Sequence, residues 1–294
     1  MIRDLVDLAL GANRVLTYAG YVLLAGTLTF WSVVWPDGRR NRRLVGLALA
    51  GTAAMISGTL AGPAIQLLFG GQLLGDIVTP LGGAAQLIRL AALVAAMFFL
   101  ADITSGAVVG WRRIVALALV LLIAATMVVQ SNAIGGHWEA AKVAATWLHV
   151  LATCAWLGGL VALAAVLIPG EQVNELDQLI PRFSRVAQLS VVTLLVTGIV
   201  HALAVAGGVS ELASSRYGFV LLIKVSIFGL MLLMGNEGRK YAARAAFRQL
   251  HQPADASVRT AGIPALAVVM GAELCIAFVI LSTTSLLVMV APHH

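Results

Sequence analysis

Long apolar runs with almost no charges dominate this chain, and they restrict it to a fold of membrane-spanning helices. Of its 294 residues, 60% are hydrophobic and only 11% are charged, whereas a soluble domain has about 25% charged residues. A hydrocarbon layer of about 30 Å needs about 20 mostly apolar residues per helical span. The sequence therefore predicts an all-α, polytopic helix bundle in the lipid bilayer. We expect about eight spans, near residues 13–35, 44–68, 83–103, 113–134, 143–168, 184–206, 217–237 and 263–290.

The polar segments between these spans are short, so we expect no soluble domain of any size. Arg3, Asp4 and Asp7 precede a first apolar run that is too long for a cleavable signal peptide. The net charge of +6 comes from short loops and does not predict binding of nucleic acid. Cys154 and Cys275 both lie in apolar runs, and we expect buried core residues rather than a disulfide.

The distribution of basic residues predicts the orientation, because cytoplasmic loops carry an excess of Lys and Arg. With both termini extracytoplasmic, 13 of the 19 basic residues lie in cytoplasmic loops and four on the outer side. The cytoplasmic residues are Arg39, Arg40, Arg42, Arg43, Arg112, Arg113, Arg182, Arg185, Arg239, Lys240, Arg244, Arg248 and Arg259; the outer ones are Arg3, Arg14, Lys142 and Arg216. This orientation places His137 in an outer loop.

The chain divides into two halves of four predicted spans each, residues 1–134 and 135–294. "GAAQLIRL" (Gly83–Leu90) is similar to "GFVLLIKV" (Gly218–Val225), and each segment has a cation six residues after its glycine. "ISGTLAGPA" in the second span is similar to "VTGIVHALA" in the sixth. These matches favour two four-helix parallel repeats related by an axis along the membrane normal.

Five ionisable residues lie inside predicted spans, where such a group is costly and indicates a functional site. They are Arg89, His149, His201, Lys224 and Glu273. At 1.5 Å per residue, His149 and His201 both lie roughly 8–9 Å below the outer boundary. Helices joined by short connections pack side by side, so we expect the two imidazoles to meet. His137, twelve residues before His149, would lie just above them.

The remaining intramembrane polar residues have simpler interpretations. We expect Lys224 and Glu273 to pair, because each is otherwise an isolated ionisable group in lipid. Arg89 is expected to extend its guanidinium outward to the interface. Trp156 lies seven residues after His149 and so shares its face on an ideal helix.

Three segments in the second half resemble, in order, the copper resistance protein D (CopD) family. "GGHWEAAKVAATWLHVLATCAWLGGL" has Gly-His, a second His about a dozen residues later, and Trp-Leu-Gly-Gly. "PRFSRVAQLSVVTLLVTGIVHA" has Arg-Phe-Ser and Thr-Gly, and "YGFVLLIKVSIFGLMLLMGNEGRK" has Tyr-Gly, Leu-Leu-x-Lys and a late Asn. The resemblance covers residues 130–290. It implies a non-enzymatic bacterial inner-membrane protein that handles copper, often with an extracytoplasmic copper-binding partner.

Carried over residue by residue, the family's two histidines fall on His137 and His149, while His201 is selected by geometry alone. Neutral imidazole binds copper in either oxidation state, so the first hypothesis is copper import, transfer or resistance through a metal site of His137, His149 and His201. A second hypothesis is a membrane cytochrome with haem b between two histidines. A third is a non-catalytic subunit of a larger membrane complex, with structural histidines.

Overall fold

The computed structural model describes residues 2–36, 41–69, 80–103, 108–130, 139–167 and 176–206, with short stretches between 218 and 233. All regular structure in these residues is helical. The α-helices are α1 (Ile2–Thr29), α2 (Arg42–Phe69), α3 (Pro80–Ile103), α4 (Trp111–Val129), α5 (Glu139–Thr153), α6 (Gly159–Leu167) and α7 (Leu176–Ala206). Two π-helical turns complete the set, a first π-turn (Phe30–Val34) after α1 and a second π-turn (Cys154–Gly158) between α5 and α6.

Six helical stretches in the described part are long and apolar enough to cross a membrane: Leu5–Val34, Arg42–Phe69, Leu81–Ile103, Trp111–Val129, Glu139–Ala165 and Leu179–Ala204. They coincide with the first six predicted spans, which confirms a polytopic all-α bundle. A shorter apolar helix, Leu221–Leu230, lies in the seventh predicted window. The eighth window lies outside the described residues, so the total of eight spans and the division into two halves stay predictions.

Helix α1 is the central element of the bundle. Its membrane window is 72% buried, compared with at most 50% for any other candidate span. It packs against α2, α4, the second π-turn and α6. Its buried side chains Tyr21, Leu24 and Leu28 contribute to one continuous apolar core that includes residues of every helix from α1 to α7.

Glycines set the close approach of α1 to two of its neighbours. A Cβ atom added to Gly20 would lie 2.9 Å from the carbonyl oxygen of Gly51 on α2. A Cβ on Gly26 would overlap the backbone of Gly158 in the second π-turn, and a Cβ on Gly158 would overlap that of Gly26. Small residues at helix crossings let backbones pack directly, so these glycines fix where α1 crosses its partners.

Helix ends away from the core are stabilised by a side-chain cap, a glycine turn and an ion pair. The Asn41 side-chain oxygen accepts hydrogen bonds from the backbone N–H groups of Arg43 (2.9 Å) and Leu44 (3.3 Å), which caps the start of α2. Gly110, with φ of 59°, precedes α4 in a conformation that favours glycine. Beside it, Arg112 forms an ion pair with Asp102 at 3.0 Å, which joins the start of α4 to the end of α3.

The π-turns interrupt the ideal helical period. At the end of the first one, the Trp35 N–H donates to the Phe30 carbonyl at 2.9 Å. Each π-turn inserts extra residues per turn and rotates the side chains that follow it. The expectation that Trp156 shares the face of His149 assumed an unbroken α-helix. Trp156 instead lies within the second π-turn, is buried, and packs edge-to-face against Phe228 at 5.4 Å between ring centroids.

Candidate metal site

Hydrogen bonds between helices show which helix ends lie together. Asn13 on α1 donates to the carbonyl of Gly58 on α2 at 2.9 Å, and Arg89 on α3 donates to Thr126 on α4. The early part of α5 contacts the late part of α7 through Thr146 and His201. These bonds place the early part of α1 beside the late part of α2, the early part of α3 beside the late part of α4, and the early part of α5 beside the late part of α7. At the other end, Arg182 near the start of α7 donates to the Val34 carbonyl and Val108 before α4 donates to the Pro36 carbonyl, so the three pairs are aligned. We call the end with the early parts of α1, α3 and α5 the amino-terminal end of the bundle.

Two imidazoles meet at the amino-terminal end. His149 on α5 and His201 on α7 are both half-buried, and their ring centroids are 5.8 Å apart with the ring planes at 89°. The sequence predicted this approach from matching depths on adjacent helices, and the structure brings the two rings together. Their role as metal ligands stays a prediction.

Each imidazole is hydrogen bonded to a threonine on the other's helix. His149 Nδ1 lies 2.8 Å from Thr197 Oγ1 on α7. His201 Nε2 lies 3.3 Å from Thr146 Oγ1 on α5. The two helices are thus joined by a reciprocal pair of contacts, each of which fixes the orientation of one ring.

The threonine hydroxyls determine which ring nitrogens carry protons. Thr197 donates its hydroxyl hydrogen to the Thr193 carbonyl at 2.7 Å, and Thr146 donates to the Lys142 carbonyl at 2.7 Å. Each hydroxyl oxygen must then accept from its imidazole, because it has only one hydrogen to give. In neutral rings this network favours N–H on His149 Nδ1 and on His201 Nε2. The ring lone pairs accordingly lie on His149 Nε2 and His201 Nδ1.

Sequence reasoning missed both threonines, although their spacing was a usable signal. Thr146 precedes His149 by three residues and Thr197 precedes His201 by four, and residues three or four apart share a helix face. Ligating histidines usually donate their second ring N–H to an oxygen acceptor that orients the ring. A Thr-x-x-His next to a Thr-x-x-x-His on adjacent spans indicates such orienting partners.

His137, Lys224 and Glu273 lie outside the residues that the structure describes. Among the residues it does describe, no group of three or more His, Cys, Asp or Glu side chains is arranged to hold a metal ion. Within the described bundle, the candidate site is therefore a two-imidazole arrangement supported by two threonines.

The prediction that Arg89 extends outward to the interface is wrong. Its side chain is only 4% exposed. Nε donates to Thr126 Oγ1 at 3.0 Å and Nη2 donates to the Thr126 carbonyl at 2.8 Å. Two oxygens of one α4 residue compensate part of the cost of burying the guanidinium, so the side chain stays between the helices.

Cys154 is a buried free cysteine, as expected for a core residue. Its thiol donates to the Leu151 carbonyl at 3.1 Å and lies 3.9 Å from the Tyr21 hydroxyl. Tyr21 in turn donates to the carbonyl of Val120 at 3.0 Å. This short polar chain links the second π-turn, α1 and α4 in the core. Cys275 lies outside the described residues.

Comparisons with known proteins point to one family. Residues 177–287 match the family model described as copper resistance protein D. Copper resistance protein D of Pseudomonas syringae pv. tomato is 32% identical over 111 residues, which cover 36% of this chain and 36% of that protein. No solved structure matches the chain. The region matched by the family model includes Thr197 and His201 and begins after His149.

Proposed function

We propose that this chain binds copper as cargo at the bacterial cytoplasmic membrane, for import, transfer or resistance, because residues 177–287 are similar to copper resistance protein D (CopD). The observation that carries the proposal is the His149–His201 pair, with ring centroids 5.8 Å apart. Both copper oxidation states accept imidazole nitrogen as a ligand. Two oriented imidazoles on adjacent spans thus supply a chemically suitable pair of donors.

The threonines support this proposal because they pre-orient the donors. With Nδ1–H of His149 directed at Thr197 and Nε2–H of His201 directed at Thr146, the lone pair of each ring is on its other nitrogen. Outer partners of this kind hold the tautomer and make the ligating nitrogen more basic. His137 is our proposed third ligand, because it precedes His149 by twelve residues in the sequence.

We further propose that the amino-terminal end is the extracytoplasmic face. The basic residues of the described helix ends support this orientation. Arg42, Arg43, Arg112, Arg182 and Arg185 all lie at or near the other end of the bundle, and basic residues accumulate on the cytoplasmic side. A copper site at the outer face could receive its ion from an extracytoplasmic copper-binding protein.

The test is elemental analysis of purified, tag-free protein together with an optical spectrum. We expect copper at about one ion per chain in the wild type. His149→Ala should lose stoichiometric copper while the protein still inserts and folds, because an interhelical imidazole contact contributes only about 1 kcal/mol to stability. His201→Ala should weaken binding. His251→Ala serves as the control, because His251 lies between Arg248 and Arg259 in the sequence, both of which are predicted to be cytoplasmic.

The same measurements separate the alternatives. If the wild type shows a haem absorption band that disappears in both His149→Ala and His201→Ala, the protein is a membrane cytochrome and not a copper-transfer protein. The wild-type protein could also contain neither copper nor haem, with the histidine variants at positions 137, 149, 201 and 251 all behaving alike. That result would indicate that the His149–His201 pair has a structural role in a larger complex.

A further inference from the structure

A second polar site lies at the amino-terminal end, away from the histidines. Helices α1, α2, α3 and α4 line an open cavity of about 220 Å³. Although the cavity lies between apolar helices, many of its lining side chains can form hydrogen bonds. They include Asn13, Arg14, Tyr18, Gln86, Arg89 and Gln130. Neither imidazole contributes to it, so the copper proposal does not account for this cavity.

The charge of the cavity lining is positive. Arg14 is exposed and Arg89 is buried, and both line the cavity. The lining contains no Asp or Glu among the described residues, and Asp7 on the same helix as Arg14 is exposed and does not line it. The hydrogen bonds from Arg89 to Thr126 satisfy two N–H donors of the guanidinium, but the Thr126 oxygens are neutral and do not balance its positive charge. Within the described residues no carboxylate lines the cavity beside the buried Arg89 cation, and a buried cation without an anion is costly, so this lining favours an anionic occupant.

The cavity lining also has more hydrogen-bonding groups than the described structure provides partners for. Arg89 uses Nε and Nη2 on Thr126, out of the five N–H donors of a guanidinium. The Thr59 hydroxyl lines the cavity, is 6% exposed, and has no hydrogen-bond partner within the described part of the chain. Buried polar atoms are nearly always satisfied by protein, water or a ligand. Thr59 thus independently indicates a polar occupant.

We propose that this cavity binds a phosphate group, supplied by an anionic phospholipid headgroup or by a small soluble phosphate. A phosphate presents several acceptor oxygens to donors that approach from different helices, and Arg recognises it with charge-assisted, often bidentate, hydrogen bonds. Arg89 at the cavity wall and exposed Arg14 supply the two cations, while the amides, Tyr18 and Thr59 supply neutral contacts. The proposal is independent of copper binding.

The test uses delipidated full-length protein in detergent. Binding of phosphatidylglycerol, phosphatidylcholine and inorganic phosphate is measured by native mass spectrometry and by the shift in unfolding temperature. We expect phosphatidylglycerol or inorganic phosphate to bind and to raise the unfolding temperature, and phosphatidylcholine to bind more weakly. Binding of phosphatidylglycerol alone identifies a lipid headgroup as the source, and binding of inorganic phosphate alone identifies a soluble ligand.

Charge-removing variants locate the binding. Arg89→Gln and Arg14→Gln should each weaken binding by about tenfold or more, since each removes a charge-assisted contact. Arg14 is exposed, so its variant keeps the test valid if Arg89→Gln fails to fold. Arg112→Gln removes a cation at the opposite end of the bundle and should bind like the wild type. Absence of binding in the wild type, or wild-type affinity in Arg14→Gln, would overturn the proposal.

Discussion

Thr146 and Thr197 set the protonation pattern of the histidine pair at the scale of single residues. Each hydroxyl gives its hydrogen to a carbonyl one turn earlier in its own helix, and so can only accept from the imidazole across the interface. The backbone of each helix thereby dictates the tautomer of a histidine on the neighbouring one. This coupling makes the threonines positioning residues for any ion that the imidazoles bind.

Replacing Thr197 with Val should therefore weaken copper binding without unfolding the protein. Val keeps the branched shape but cannot accept from His149 Nδ1–H, so the ring loses its orienting partner. Loss of such an outer partner costs about 10–100-fold in metal affinity. The measurement is competition for copper with a chelator of known affinity. Thr193→Val, one turn earlier on α7, removes a hydroxyl whose hydrogen bond in the described part of the chain goes to the Leu189 carbonyl, and it should leave affinity unchanged. Equal losses in both variants would contradict the assigned tautomer.

The predicted Lys224–Glu273 pair belongs to the same scale, and both residues lie outside those that the structure describes. Removing one partner should leave the other uncompensated in the membrane and cost about 3–5 kcal/mol of stability, whereas removing both should cost less. Denaturant unfolding of Lys224→Met, Glu273→Gln and the double variant forms the cycle. Losses that simply add would show that the two side chains do not interact.

At the scale of helices, the second π-turn brings α1 and the α5–α6 span into direct contact. Gly158 at the end of the π-turn lies against Gly26, and the backbone of Val22 is also close. The same turn places Cys154 beside Tyr21 and Trp156 against Phe228. A regular α-helix through residues 154–158 would point these side chains in other directions. The contacts of Cys154 and Trp156 and the glycine crossing therefore all depend on the π-turn.

Adding a methyl group at this crossing should destabilise the bundle. Gly158→Ala places a Cβ atom against backbone atoms of α1 that have no flexible side chain to move aside, and overpacking of this kind costs about 1–3 kcal/mol. The unfolding temperature in detergent, followed by tryptophan fluorescence, measures the loss. Gly46→Ala on α2 is the matched control, because a Cβ there meets no described atom within 4 Å. An equal response of the two variants would refute the crossing.

For the whole molecule, the hydrogen bonds between helices establish an up-and-down bundle with two chemically different ends. The amino-terminal end contains the histidine pair and the polar cavity. The opposite end contains the Arg112–Asp102 ion pair, the Asn41 cap and the Val108 N–H that donates to the Pro36 carbonyl at 3.1 Å. Arg182 also donates to the carbonyl of Val34 there, at 3.4 Å. The proposed orientation assigns this basic end to the cytoplasm.

Cysteine accessibility tests that orientation. In a background without Cys154 and Cys275, a cysteine at Gly38, between α1 and α2, should react with a membrane-impermeant reagent only after the membrane is opened. A cysteine at Ser131, between α4 and α5, should react in intact cells. The reverse pattern would invert the bundle and move the histidine pair to the cytoplasmic side.

The local composition of the chain determines its spans. Six predicted windows coincide with helices, because a run of about 20 apolar residues in lipid must satisfy its backbone within one helix. The approach of His149 and His201 could also be predicted, since depth follows from residue count and neighbours follow from short connections. The burial of Cys154 follows from its apolar surroundings in the sequence.

Only the tertiary structure decided which side chains face each other. Helices α2 and α3 are apolar on nearly all sides, so their hydrophobic pattern does not fix the rotation of one helix against the next. The rotation depends on the Gly20–Gly51 and Gly26–Gly158 contacts and on the π-turns, which arise from packing between distant segments. That packing buried Arg89 against Thr126, placed Thr197 beside His149, and formed the polar cavity, because each requires two helices with a definite relative rotation.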